Sequence, residues 1–572
     1  MNICVDFGTC NTVISYTDEN NNIQHILNNE TGDVLIPTCL YFLNTENVTD
    51  SKFVYETDYI IGTNACNYIK QPNEYKNYFT QFKRFLGMTK KTKNIDFLNK
   101  FDYEYELDDD IIYFNIGKIK ISIIELVTLF MKGIYKYIND VLHLTEYEIS
   151  ITCPAYFFDL QRTQLKNAVE CAGFKIFKMY NEPTVAGVYY INEIMKNKII
   201  VNKSNNNNEL NNNGLNDNEL NNNELNINNK TFIIFDLGGG TLDVTIIKYC
   251  EDLETCEILD ICGNNNLGGI DIDNIIIENI YEKYGVDRTN KKWQNKIKKY
   301  AEDIKIKMTY TDQYDIFLEE VPLVENKINK VVDLKITYTL HNFNKLIKNI
   351  IDDMSTLVIQ KAIEYNTKNI IFIGGPTKIR LIRSVIMTKL QINENNLNCE
   401  LNNYFKINEN LYKTIVARGG TVMTRTIKNK SSFMLLDVIP MNIGILSNCD
   451  KLAIIINKNS KIPCSSEKIF TVQHDCQRNV ELEIYEGVDE LCSNNNFIGS
   501  YKILGIPPFK RGAILIKLLF EITSNGILNI SISGCKNSSD EDAKKTDYKY
   551  NNKIKLIPTS ILKKLLKKIL IS

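Results

Sequence analysis

Net charge, histidine and paired cysteines are all scarce in this chain. Its 572 residues carry 67 Lys and Arg against 69 Asp and Glu, a formal net charge of −2. That balance provides no general attraction to nucleic acid or to an anionic membrane, so neither is an expected partner. There are only four histidines, and the 15 cysteines include no CxxC pair. Cys250, Cys256 and Cys262 lie near one another without the spacing of a metal site. Free thiols in a reducing compartment are therefore expected, rather than disulfides or a zinc centre. No basic segment followed by an apolar stretch opens the sequence, and no apolar run reaches the ~18 residues of a membrane span. A soluble, cytoplasmic protein with no transmembrane segment is the expectation. A GxxxxGK[ST] string is also missing, which excludes a Walker-type phosphate loop.

What is present is enough apolar residue, 44% of the composition, to build full cores without disulfides. The length exceeds what one core supports, so two or three domains are expected. Residues 124–138 place apolar side chains at helical spacing, and 148–157 read as a buried strand ending at Pro154. Alternation of this kind predicts a layered α/β domain over residues 1–428. It is interrupted at 202–230 by an Asn-rich stretch with recurring NEL units, read as a disordered surface insertion. Helix-like stretches follow at 274–284 and 343–365.

Residues 433–440, FMLLDVIP, form an apolar run within the polar join 429–440. Pattern alone leaves two readings, the first strand of the next domain or a docking linker. Residues 441–534 look all-β: 480–487 alternate apolar and charged residues, and 513–534 read as two strands around Asn525-Gly526. Asn-Gly suits a tight hairpin in which both turn residues take positive φ. The stretch 535–572 is polar and ends in a basic amphipathic helix, 561–572, which could pack on the sheets or touch a membrane surface or partner.

Chemistry concentrates in glycine-rich strand ends. ICVDFGTCNT (3–12) and FIIFDLGGGTLDVTII (232–247) each run an apolar strand into Asp, an apolar residue, Gly and a small hydroxylated residue. Glycine lets backbone N–H groups approach phosphate oxygens, threonine adds a hydroxyl, and the strand-ending carboxylate suits a hydrated Mg²⁺. Two such loops imply two similar lobes facing one phosphate chain. A third, NIIFIGGPTKI (369–379), runs another strand into Gly-Gly.

The order of these loops resembles the actin-like ATPase superfamily. More narrowly, the chain is similar to the 70-kilodalton heat-shock chaperones. The matching strings are VDFGTCNT, CPAYFFDLQR, NEPTVAGVYY, FDLGGGTLDVT, NLGGIDID, FIGGPTKI, LLDVIPMNIGI, IYEG, GIPPFKRG and NGILNIS, in family order. The resemblance implies an α/β actin-like two-lobed ATPase domain, then an all-β sandwich that binds peptide; the family's helical lid is expected to be largely absent, a departure from its pattern. It implies ATP or ADP with Mg²⁺ as ligands and a weak Mg²⁺-dependent ATPase. Implied partners are unfolded or extended peptides, a J-domain co-chaperone and a nucleotide-exchange factor.

Residue by residue, Asp6 and Asp236 match Mg²⁺-water ligands, and Lys83, Glu182, Asp243 and Thr241 match the catalytic set. Gly8, Thr9, Cys10, Asn11, Gly238, Gly239 and Gly240 match phosphate contacts. Glu302, Lys305, Thr309, Gly374, Gly375 and Lys378 match the adenosine side, the first three sharing one helix face by their spacing. Ile445, Phe470, Val480 and Leu482 match the peptide groove, with the polar Asn448 and Gln473 at its arch. Leu435, Leu436 and Asp437 match the interdomain linker, and Pro154 and Arg162 the relay to it.

The pattern also departs. Cys10 stands for a threonine and Ile306 for an adenine-stacking arginine; Lys378 and Pro376 replace an arginine and a serine, and Ile270 an acidic residue. Weaker nucleotide affinity is the expectation. Two other roles stay open: a non-hydrolysing, ATP-bound partner subunit of another chaperone, and a viral-type heat-shock homologue serving particle assembly or movement.

Overall fold

A computed structural model describes residues 1–43, 53–68, 77–92, 98, 101, 103–108, 111–117, 119–144, 146–192, 231–250, 252–325, 328–392, 411–431, 433–504, 506–536 and 555–558. The Asn-rich stretch 202–230, the 561–572 helix and most of 535–572 lie outside the described residues.

Two sheets repeat one pattern. In the first, Ile3–Phe7 forms a hairpin with Asn11–Thr17 and pairs in parallel with Glu148–Cys153, which pairs in parallel with Lys175–Asn181. In the second, Thr231–Leu237 forms a hairpin with Leu242–Cys250 and pairs in parallel with Ile370–Ile373. Each central strand is buried on both faces, which is why ICVDF and TFIIFDL read as continuous apolar runs. Each hairpin turn is one of the glycine loops, so the repeat brings both loops to equivalent strand ends. The core splits accordingly: one cluster gathers around Phe7, Phe82 and Phe130, another around Phe235, Ile304 and Phe343.

The helix Ile123–Leu142 covers the first sheet. Ser122 caps it: its Oγ accepts the Glu125 N–H at 3.2 Å, and Glu125 accepts the Ser122 N–H at 2.8 Å. Such a reciprocal cap stabilises by about 1 kcal/mol. The helix Leu411–Lys428 packs on the same sheet, where Thr424 Oγ1 lies 2.6 Å from Ser150 Oγ.

Part of residues 433–440 is paired. Met434–Leu436 forms a strand, but it pairs in parallel with Thr255–Glu257 at the edge of the second sheet. Backbone pairing to an open sheet edge, with Leu435 partly buried beneath it, docks this segment on the α/β domain.

Beyond it, Leu452–Ile456, Asn442–Leu446, Asn479–Gly487, Asn496–Leu504 and Lys555–Pro558 make one sheet, and Cys464–Thr471, Ile514–Ile522 and Leu528–Lys536 another. They share a core that includes Ile443, Ile484, Leu518 and Phe520. Lys555–Pro558, within the stretch read as a polar tail, pairs with Tyr501–Leu504. The turn at Asn525-Gly526 also differs from expectation. Only Gly526 takes positive φ (71°), and Thr523 N–H closes the loop on Ile527 O at 2.9 Å. The Asn525 side chain reaches outward instead, and its Oδ1 accepts the Met179 N–H of the first sheet at 3.2 Å.

Asp260, on the strand Thr255–Asn264, ties the two parts together. It is 2% exposed, 2.5 Å from Lys361 of the helix Leu340–Glu364 and 2.8 Å from Lys458 of the β-domain. Burial raises its pKa, but the two lysine hydrogen bonds outweigh that and lower it overall. Lys461 adds a pair to Glu257 at 2.6 Å. Asp260→Ala is expected to loosen docking by about tenfold, because it removes the carboxylate that Lys458 of the β-domain shares with Lys361, which keeps only Glu364 at 2.7 Å. Limited proteolysis of the 429–433 join against salt concentration reads this, and a salt-independent rate equal to wild type would refute it.

Candidate functional site

The first two glycine loops face each other. A Cβ on Gly239 would lie 2.3 Å from Cys10 Sγ, and one on Gly240 would lie 2.8 Å from Thr9 Cγ2. Thr9 and Thr241 are both buried there, 6% and 8% exposed. Gly268 N–H and Arg84 reach the same carboxylate, Asp271 Oδ2, at 2.9 and 3.5 Å. Gly8 precedes this contact and Asn11 opens the strand beyond it; Gly238 N–H closes its own turn on Thr241 O at 2.9 Å.

Four carboxylates and one lysine converge beneath the loops. Lys83 Nζ lies 2.7 Å from Glu182 Oε1, with the lysine side chain 2% exposed. Lys83 also sits 5.6 Å from the ring centres of Phe7 and Phe157, an apolar surround that strengthens its charge interactions. Asp236 and Asp243 are directly opposite across the hairpin. Burial, then Glu182, pushes Asp243 up to about 7, against the Tyr156 N–H it accepts at 2.8 Å. Asp236 is held well above the carboxylate range by burial and by Glu182, Asp243 and Asp6. Asp6 is raised by burial and Glu182, although it accepts from Thr152 Oγ1 at 2.8 Å.

One lysine against four acids leaves surplus negative charge, which fits a divalent cation. Among the described residues, no three Asp, Glu, His or Cys side chains come close enough to chelate one directly.

The third loop closes the cleft. Gly374 takes φ +85°, and a Cβ there would lie 2.0 Å from Leu237 O and 3.3 Å from Asp236 Oδ1. Gly374→Ala is expected to cost about 3 kcal/mol in denaturant unfolding, because both the φ and the contact exclude a side chain. Gly375 begins a short 3-10 turn, Gly375–Lys378. Lys378 Nζ lies 3.1 Å from Tyr310 Oη and 3.2 Å from the Tyr412 ring centre.

On the helix Lys291–Tyr310, Lys305 pairs with Asp273 at 2.6 Å and donates to Gly269 O at 3.2 Å. Burial raises Asp273 to about 6 against the pull of Lys305. Thr309 Oγ1 bonds Lys305 O at 3.0 Å, Glu302 is exposed, and Ile306 is 47% exposed. Burial, then Glu302, pushes the Cys10 thiol up to about 12, so it stays a neutral, weak donor.

A polar relay leads away from the cluster. Arg162 donates to Phe157 O, Ala155 O and Asn181 Oδ1 at 3.0, 3.0 and 2.7 Å, and reaches Pro154 O at 3.5 Å. Asn181 Nδ2 donates to Asp437 Oδ2 at 2.9 Å. Asp159 N–H donates to Glu486 Oε2 at 2.8 Å, and Asp159 Oδ1 accepts the Leu528 N–H at 2.7 Å. Sequence reasoning missed Arg84, Asp271, Asn181, Asp159, Glu486 and Asp260. Arg84 is adjacent to Lys83, which was its one available signal.

In the β-domain, Ile445 is buried, and Phe470, Val480 and Leu482 pack against the same core; Asn448 and Gln473 are exposed. Among the described residues, no helix is long and apolar enough to cross a membrane.

The family model described as Hsp70 protein matches residues 2–555. Chaperone protein DnaK of Thermotoga petrophila is 28% identical over 393 residues, 67% of this chain, and the match spans 59% of that relative's length. Chaperone protein DnaK of Thermosipho melanesiensis is 25% identical over 543 residues, 92% of this chain and 77% of the relative. That of Mycoplasmopsis agalactiae is 26% identical over 539 residues, 92% of this chain and 76% of the relative. A match across nearly the whole length, on a chain whose sheets and glycine loops repeat as two lobes, places this protein in the Hsp70 family of chaperones, with its two-lobed ATPase domain.

Proposed function

We propose that this chain is an ATP-dependent chaperone that hydrolyses ATP weakly, with Mg²⁺, to control its grip on extended apolar peptides. The observation that carries the reading is the buried cluster of Lys83, Glu182, Asp6, Asp236 and Asp243 beneath two facing glycine loops. Residues 1–428 would form the ATPase domain, 429–440 the linker and 441–534 the peptide-binding domain, in the cytoplasm. A J-domain protein and a nucleotide-exchange factor would act on it.

The chemistry follows from these side chains. Phosphoryl transfer to water depends on positioning and charge stabilisation more than on covalent catalysis. Thr9, Thr241 and the N–H groups of Gly239 and Gly240 would hold the phosphate oxygens, the Gly238 N–H being already bonded to Thr241 O. Lys83 Nζ, fixed by Glu182, would oppose charge that builds on the transferring group. Asp243, fixed by the Tyr156 N–H at 2.8 Å, would accept the proton of the attacking water. Asp6 and Asp236 would hold the hydrated Mg²⁺, which when bound supplies countercharge to the phosphates. Lys305 and Lys378, each already held by a partner, would flank the nucleoside beside Gly374 and Gly375.

Ile445, Phe470, Val480 and Leu482 would line the peptide groove. The exposed, polar Asn448 and Gln473 would close weakly over it. Docking of Leu435, Leu436 and Asp437 on the ATPase domain supports coupling through Pro154 and Arg162. The neutral Cys10 thiol and exposed Ile306 favour a second reading, a chain that binds ATP without turning it over and serves a partner chaperone.

The test is release of a fluorescent apolar peptide from the full chain. ATP with Mg²⁺ should speed release about tenfold over ADP, a coupling of about 1.4 kcal/mol. Equal release rates with ATP and ADP, in a chain that binds both, would exclude the coupled chaperone.

A further inference from the structure

Most of the cysteines stand apart, but two do not. Cys39 opens the strand Cys39–Phe42, and Cys66 sits on the helix Gly62–Tyr68. Their sulfurs are 3.2 Å apart, although 27 residues separate them in sequence. Among the described cysteines no other two sulfurs are in hydrogen-bond contact. The pair is asymmetric: Cys39 is 1% exposed, whereas Cys66 is exposed.

A third group completes the arrangement. Tyr78 Oη lies 3.3 Å from Cys66 Sγ, and its strand, Tyr78–Thr80, pairs with the strand of Cys39. The Cys39 thiol also reaches Gly62 O at 3.2 Å, which holds it at the foot of the Cys66 helix. The Cys66 thiol is drawn down to about 7, first by its hydrogen bond with Cys39, against burial, and then by Tyr78. Cys39 is pushed well up, first by that same bond and then by burial. An accessible thiolate beside a buried thiol is the arrangement of an attacking and a resolving cysteine.

We propose that Cys39 and Cys66 form a peroxide-sensitive dithiol that closes to an intramolecular disulfide. The Cys66 thiolate attacks one oxygen of hydrogen peroxide and breaks the O–O bond, leaving a sulfenic acid and, after protonation, one water. Cys39 sulfur then attacks the Cys66 sulfur. The hydroxide displaced takes the Cys39 proton and leaves as a second water. Two thiols lose two electrons and one peroxide gains them.

The position gives the bond leverage. Thr38, next to Cys39, donates its N–H to Cys10 O of the first glycine loop at 2.7 Å, and its Oγ1 lies 2.9 Å from that of Thr12. The dithiol is therefore tied through Thr38 to the first glycine loop.

The experiment treats the reduced full chain with one equivalent of hydrogen peroxide, blocks remaining thiols, and maps the unreduced digest by mass spectrometry. A Cys39–Cys66 cross-linked peptide, formed first and reversed by dithiothreitol, is expected. The exposed Cys449 and Cys476 should remain blockable. Cys39→Ser should leave a sulfenic acid at Cys66 that dimedone traps. Cys66→Ser should slow peroxide consumption about tenfold. Oxidation of Cys66 no faster than that of Cys449 and Cys476, or without a cross-link to Cys39, would overturn the proposal. The wild-type map alone decides this if either variant fails to fold.

Discussion

Lys83→Ala is expected to lower single-turnover ATP hydrolysis by about 10²–10³-fold, while ATP affinity changes by less than about threefold. The lysine sits in an apolar, nearly dry pocket against Phe7 and Phe157, where a positive charge acts at much greater strength than in water. Ground-state phosphates would already be held by the loop N–H groups and the two threonines, so the loss should fall on turnover rather than on binding. The same change removes the partner that Glu182 has at 2.7 Å, and unfolding should become easier by about 3 kcal/mol. Glu182→Gln separates the two effects. It keeps a hydrogen-bond acceptor for Lys83 and removes one negative charge from the cluster, so stability should be retained. Quench-flow kinetics with denaturant unfolding on the same preparations checks both. An unchanged rate in Lys83→Ala would remove this lysine from the chemistry.

Docking of the β-domain should weaken as pH rises. Burial pushes Glu486 up to about 8, and Asp159, buried beside it, rises to about 6. Both are acids whose docked-state pKa lies above the value in water, so the docked form holds protons that the undocked form gives up. The contact is therefore strongest below about pH 4.5, the ordinary range of these acids, and loosens until pH passes 8. One such group changes the equilibrium by up to about tenfold per pH unit inside that window. Hydrogen exchange of the Met434–Leu436 amides, corrected for intrinsic rate, should show protection falling between pH 6 and 8. In Glu486→Gln most of that slope should vanish, because the amide cannot ionise. A variant with the wild-type slope would assign the titration elsewhere.

Local chemistry was legible in the sequence where the chain itself placed the groups together. Asp6-Phe7-Gly8-Thr9 and Asp236-Leu237-Gly238-Gly239-Gly240-Thr241 each carry strand, carboxylate, glycine and hydroxyl in one string, and the structure sets them loop against loop. Lys83 and Glu182 are different. They lie 99 residues apart, and neither the FTQFKRFLG nor the NEPT string implies the other, so only resemblance to the chaperone family singled them out. Asp260 had no signal at all. Its lysines come from a helix end and a β-domain loop, and a two-residue-period strand does not announce which charge it buries. The run 433–440 stayed ambiguous because apolar alternation looks the same whichever sheet it joins; its pairing with 255–257 could not be read from the string. At Asn525 the expected two-residue turn is a three-residue loop between Thr523 and Ile527, so only Gly526 takes positive φ.

The central claim is that the cleft turns over ATP, and the most direct measurement is Mg²⁺-dependent release of phosphate from ATP by the purified full chain, with and without an extended apolar peptide. Slow release is expected, accelerated by the peptide and abolished by Lys83→Ala. ATP bound tightly, with no phosphate released above the Lys83→Ala background under either condition, would contradict it and leave a nucleotide-stabilised partner subunit.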